Sequence, residues 1–160
     1  MNNIFKSMVA QEKSEFDLGQ LADRLRRQNT GWTIPEAFVG ILISAAMADG
    51  GMGVEERETI LHLASRSRAL KAISGAELSR INEVANERFS TRPDALQEAC
   101  DTLPVDMALS VFAHCVDILL SDGNLAPSEA QFLETLVERL ALDPEKANQI
   151  TEALFIKAQY

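Results

Sequence analysis

Two stretches of this chain follow the same pattern, 73 positions apart, and this duplication restricts the fold more than any other feature of the sequence. In each stretch a largely apolar run ends in Asp-Gly, over residues 38–50 in the first copy and 111–123 in the second. Both copies continue into a second helix, and a third helical pattern follows from Gly75 and from Pro144, after a gap of a few residues in the alignment. We interpret the duplication as two helical units packed with approximate two-fold symmetry, because two copies are too few for a solenoid.

Helix start and stop signals divide the rest of the chain, whereas sustained strand patterns and Asn-Gly hairpins are absent from the sequence. Ser74, with Glu77 three residues later, has the pattern of a capping box, and Thr91 is predicted to cap the next helix. The predicted helices are a first one capped by Ser14 and running to about Asn29, then Pro35–Ala48, one from Val54, Gly75–Phe89, Arg92–Asp101, Pro104–Ser121, Pro127–Ala141 and Pro144–Lys157.

This pattern predicts an all-α fold of about seven to eight helices in one domain, with two pseudo-symmetric three-helix repeats. We expect the repeats to span residues 35–89 and 104–157. Residues 1–30 are predicted to form a helical arm packed on the domain, which occupies residues 31–160.

The charge balance narrows the range of partners. The 160 residues carry 24 acidic and 15 basic side chains, a formal net charge of −9, which argues against a nucleic-acid partner. The longest apolar run, residues 38–48, is too short to cross a bilayer, and the N-terminus has no signal-peptide pattern. Cys100 and Cys115 lack metal or redox spacing and are expected to be free, buried thiols. We expect a cytoplasmic protein with no direct membrane insertion.

The two Asp-Gly corners are the candidate site. Asp49 and Glu56 stand seven positions apart, as do Asp122 and Glu129. If each Asp ends a helix and each Glu lies in the first turn of the next, the two carboxylates can meet at one corner and bind a divalent cation. The alternative interpretation is structural: the glycine ends the helix, the Asp closes the turn and the Glu caps the next helix.

Other sites have weaker support in the sequence. An EF-hand is excluded, because its loop needs acidic residues at the first, third and fifth positions and Glu at the twelfth. His62 and His114 lack the neighbouring ligands that zinc requires, so calcium or magnesium is the more plausible cation. No nucleophile elbow or phosphate-binding loop is present, and we expect a protein that is not an enzyme and has no catalytic residues. The two cysteines are the one motivation for an alternative, an enzyme acting on an oxyanion.

The stretches Ala48–Glu56 and Ser121–Glu129 resemble the signature of the tellurite-resistance TerB-like family: Ala-Asp-Gly, an apolar residue, then Glu-Glu opening the next helix. The resemblance covers about residues 36 to 156. It implies an all-helical, internally pseudo-symmetric fold and a metal ion held by acidic residues, here Asp49, Glu56, Asp122 and Glu129. The second copy departs from the family pattern at Ser128, where the family tends to have Glu, so that the second site is expected to be weaker.

The resemblance also implies a role in tellurite and stress resistance, with other proteins of such a system as partners; a homodimer is left open. The first functional hypothesis is therefore a non-catalytic, divalent-metal-binding interaction module in a stress-resistance system. The second is a constitutive helical scaffold or protein-binding domain in which the same acids serve only as turn and cap residues.

Overall fold

The computed structural model describes residues 30–48, 73–121 and 123–159, together with Glu58, Ile60, His62, Arg66, Arg68 and Leu70. The helices of this part are α1 Ile34–Ala46, α2 Gly75–Thr91, α3 Ala95–Thr102, α4 Val105–Leu119, α5 Pro127–Arg139 and α6 Pro144–Ala158. The described residues include no strand, so the all-α prediction is confirmed for them. The predicted arm, residues 1–30, lies outside this set except for Thr30. Of the helix predicted from Val54, the described Glu58, Ile60, His62 and Arg66 are helical.

Two helix starts show how local sequence sets these boundaries. The Thr33 hydroxyl accepts a hydrogen bond from the Glu36 N–H (3.3 Å) and the Glu36 carboxylate accepts one from the Thr33 N–H (3.1 Å), a complete capping box on α1. Ser74 accepts from the Glu77 N–H (3.3 Å), so the predicted cap of α2 is confirmed. The Glu77 carboxylate, however, pairs with Arg80, and the reciprocal half of that box is not formed.

The prediction that Thr91 caps a helix from Arg92 is wrong. Thr91 is the last residue of α2, and its hydroxyl donates to the Glu87 carbonyl (2.9 Å). Pro93 explains the difference, because a residue before proline is driven to extended backbone, and Arg92 has φ −120° and ψ 119°. The next helix therefore begins three residues later than predicted, at Ala95.

Helices α1 and α4 lie at the centre of the core. α1 packs against α2, α3 and α4, while α4 also packs against α5 and α6. At the central contact the Phe38 ring meets His114 edge-on with 5.8 Å between ring centres, and the Cys115 thiol donates to the Ile41 carbonyl oxygen (3.9 Å). Buried side chains from all six helices join one hydrophobic cluster. None of the helices in the described part combines the length and the apolar character needed to cross a membrane.

Candidate functional site

The second Asp-Gly corner connects α4 to α5. Leu120 caps α4 with near-helical backbone, φ −89° and ψ 4°, and its N–H donates to the Val116 carbonyl (2.9 Å). Gly123 has φ +78°, the left-handed conformation that L side chains disfavour, and its N–H donates to the Leu120 carbonyl (2.9 Å). The left-handed conformation predicted for this glycine is confirmed, but Gly123 lies in the turn three residues after the cap, and α4 already ends at Leu119.

Glu129 is the one predicted ligand that the structure describes, and it acts as a cap. It lies in the first turn of α5 and is half-buried, and its Oε1 accepts a hydrogen bond from the Ala126 N–H (3.0 Å). Ala126 has no side-chain oxygen, so the reciprocal cap of a full capping box is absent. One carboxylate oxygen of Glu129 is thus engaged by the backbone.

The remaining predicted ligands, Asp49, Glu56 and Asp122, lie outside the described residues, as does Gly50. The described side of the first corner nevertheless matches the second. Met47 caps α1 with φ −87° and ψ −3°, nearly the backbone angles of Leu120, which stands 73 positions later. Both helices therefore enter their Asp-Gly corners in the same way.

The donor chemistry of the corners suits a hard cation, because carboxylate oxygens are what calcium and magnesium prefer. Among the residues that the structure describes, no three of the types His, Cys, Asp and Glu are grouped closely enough to hold a metal ion. Of the four predicted ligands, this part of the chain includes only Glu129.

The two cysteines are free and buried, as the sequence predicted. Burial raises the pKa of the Cys100 thiol to about 12, with Asp101 adding to the effect and Arg139 opposing it. Burial also raises the pKa of Cys115, which is fully enclosed between α1 and α4. Since the thiolate is the nucleophilic form, neither side chain is suited to covalent chemistry at neutral pH.

The two histidines lie on separate helical segments. His114 is half-buried beside Phe38, and burial lowers its pKa, with the nearby Asp117 carboxylate opposing that shift. His62 is exposed. His114 is thus a packing residue of the α1–α4 contact.

The sequence did not predict a cluster around the buried carboxylate of Glu36, which is 5% exposed. The Arg88 guanidinium donates to Glu36 Oε2 (3.4 Å), and Arg80 Nη1 lies 3.9 Å from Oε1. Arg88 also stacks over the Trp32 ring at 4.7 Å, and the indole N–H donates to Glu98 (3.2 Å). Thr33, with Pro35 just inside, predicts the helix start, and the Thr33-x-x-Glu36 spacing signals the capping box, whereas nothing local in the sequence signals the partners on α2 and α3.

Comparisons of this chain with protein-family models, with curated proteins and with solved structures found no match.

Proposed function

We propose that this protein is a non-catalytic helical interaction module of the TerB-like type that works with other proteins of a tellurite- or stress-resistance system. The observation that carries the proposal is the duplicated TerB-like Asp-Gly pattern, whose two copies follow helix ends of similar geometry at Met47 and Leu120, a geometry that Leu140 at the end of α5 shares.

The packing of the helices supports the two pseudo-symmetric repeats, residues 35–89 and 104–157. α2 packs on α1 as α6 packs on α4, and α1 and α4 pack on each other. Under two-fold symmetry, equivalent positions approach one another near the axis. The two central contacts join positions that are close to equivalent: Phe38 meets His114, which is 73 positions after Ile41, and Ile41 meets Cys115, which is 73 positions after Leu42.

A divalent cation at the first corner is the metal-dependent part of the proposal. Asp49 and Glu56 would supply the ligands, with Asp122 and Glu129 forming a weaker second site. The support is chemical: the first corner has Glu55 beside Glu56, whereas the second has Ser128 beside Glu129, and a lower ligand charge weakens cation binding.

The competing function is a constitutive scaffold in which the acids only shape turns and caps. The hydrogen bond from the Ala126 N–H to Glu129 favours this alternative at the second corner, because it gives that carboxylate a structural role at the start of α5.

The environment of the thiols supports the absence of catalysis. With their pKa values raised by burial, Cys100 and Cys115 remain protonated at neutral pH, which removes the motivation for an enzyme that attacks an oxyanion through sulfur.

Calorimetric titration with calcium, magnesium and zinc separates the two functions. The variant is Asp49→Asn/Asp122→Asn, and the matched control is Asp94→Asn/Asp106→Asn, which removes the same charge at two exposed aspartates away from the corners. Binding heat and a thermal shift in the wild type and the control, but not in the corner variant, are expected for the metal module. No heat and no shift at millimolar metal would reject metal binding.

The scaffold hypothesis makes a different prediction for the same corner variant: a loss of about 1–2 kcal/mol in unfolding free energy, the usual cost of lost caps, equal in chelator and in metal. A loss seen only with metal present would reject it.

The cellular role is tested by deleting the gene in the native host and measuring survival in tellurite and in oxidants. Sensitivity that the wild-type gene restores supports the stress-resistance assignment. Unchanged survival under all these conditions would contradict it, irrespective of the metal result.

A further inference from the structure

The outer face of α6 carries apolar side chains that the core does not use. The helix faces α4 through Ala147, which is buried, and through Ile150, Leu154 and Ala158, which are partly buried. At 100° per residue, Ile156 points almost directly away from that stripe. It is 65% exposed, and its neighbour Phe155 is 46% exposed.

The side chains around Ile156 form one surface, which we call the outer face of α6. It consists of Gln149, Glu152, Ala153, Ile156 and Lys157, all of them exposed. Ala153 and Ile156 stand three positions apart, the spacing of the two apolar positions in a helix pair. Glu152 and Lys157 flank them on opposite sides. The outer face therefore has the layout of one heptad of a parallel helix pair.

We propose that the outer face of α6 binds the same face of a second copy of this chain, with the two α6 helices parallel across a two-fold axis. In a parallel helix pair, the residue just before the first apolar position of one helix lies opposite the residue five positions later on the other helix. Glu152 of each copy then meets Lys157 of the other, and Ile156 packs against Ala153 and Ile156 across the axis. An antiparallel pair would instead place Glu152 beside Glu152 of the second copy.

The Lys157 amine is accessible for this contact. Lys157 Nζ lies 3.4 Å from Asp117 on α4, yet the lysine side chain is 68% exposed, so its amine can also reach outward. A seam one heptad long buries less surface than a standard stable interface. The association is therefore weak and depends on protein concentration.

Sedimentation velocity over a concentration series up to high micromolar tests the proposal. The wild type is expected to move from monomer towards dimer as concentration rises. Ile156→Glu is expected to raise the dissociation constant about tenfold or more, as for other buried interface anchors. Val105→Glu is the matched control, because Val105 is also 65% exposed and lies on another helix.

Charge reversal identifies the partner. Glu152→Lys and Lys157→Glu should each weaken the dimer, and the double variant should restore it, since the two residues meet only between copies. Asp117→Asn, which removes the intrachain partner of Lys157 without touching the outer face, should leave the dimer intact. Circular dichroism confirms that each variant is folded.

Three results would overturn the proposal. They are a wild type that stays monomeric at every concentration, equal effects of the Ile156 and Val105 variants, and a double charge reversal that does not restore association.

Discussion

The Arg88 guanidinium lies 4.7 Å above the Trp32 ring and at the same time donates to the buried Glu36 carboxylate at 3.4 Å. This arginine therefore fixes α2 to the beginning of α1 through two contacts of different kinds, one with an aromatic face and one with a charge.

Arg88→Ala should lower the free energy of unfolding by about 1–3 kcal/mol, because it leaves a buried charge with fewer partners. Arg80→Ala is the control: Arg80 is 53% exposed and 3.9 Å from Glu36, so its loss should cost less than about 1 kcal/mol. Urea unfolding measures both values. Equal losses would contradict the central role of Arg88.

Gly40→Ala should destabilise the protein although alanine favours helices. A Cβ at this position would lie 2.9 Å from the Trp32 ring and 3.2 Å from the Phe89 ring. Because both rings are packed, we expect a loss of about 1–3 kcal/mol. Gly75→Ala, where a Cβ meets nothing within 4 Å, should be neutral or slightly stabilising. Thermal unfolding of the two variants distinguishes crowding from helix propensity.

Ala141→Gly should stabilise the protein. Ala141 follows α5 with φ 53°, while the Leu142 N–H donates to the Val137 carbonyl, the bonding of a Schellman motif. Glycine relieves the left-handed strain at this position, for a net gain of about 0.5–1 kcal/mol. Ala76→Gly, at an exposed site in the first turn of α2, should do the opposite. If chemical denaturation shows Ala76→Gly to be more stable than Ala141→Gly, the backbone strain at Ala141 is refuted.

The two thiols should react slowly in the native protein. At pH 8 a thiol reagent is expected to label Cys100 and Cys115 much faster in urea than in buffer. The raised pKa also makes the free energy of unfolding depend on pH. The stability that the buried Cys100 thiol contributes is fully present below the ordinary pKa of 9.0 and is lost as pH rises towards about 12. Single Cys→Ala variants show which of the two thiols has reacted. Native labelling as fast as in urea would contradict the burial.

Because of His114, the free energy of unfolding should fall in mildly acidic solution. Its folded pKa is lowered by burial, so the unfolded chain binds the proton more readily. Its contribution is present above the ordinary value of 6.5 and is lost as pH falls through the lower folded pKa. His114→Gln should remove this part of the pH dependence, whereas His62→Gln at an exposed site should retain it. Urea midpoints between pH 7 and pH 5 measure both, and an unchanged slope in His114→Gln would refute the assignment.

The helices could be predicted because their signals are local. Ser74 and Pro127 mark helix starts, and Gly123 marks a stop, within a few residues of the boundary itself. Thr91 misled the prediction, since a hydroxyl can cap a new helix or bond back to the preceding turn, and only Pro93 distinguishes the two.

The cluster around Glu36 could not be predicted in the same way. Arg88 lies 52 positions from Glu36, and Glu98 lies 66 positions from Trp32. Such pairs depend on how α1, α2 and α3 pack, which a single sequence does not encode in any short pattern. At the candidate site, the left-handed conformation of Gly123 and the capping role of Glu129 could both be predicted from local sequence patterns.

The position of Trp32 gives this protein an optical property. It is the chain's one tryptophan, 5% exposed, with Phe89 at 5.7 Å and Glu98 on its indole N–H. Its emission therefore reports directly on the junction of α1, α2 and α3, and only indirectly on α5 and α6. Local unfolding of α1, α2 and α3 would shift the emission spectrum to the red, whereas local unfolding of α5 and α6 alone would change the fluorescence very little.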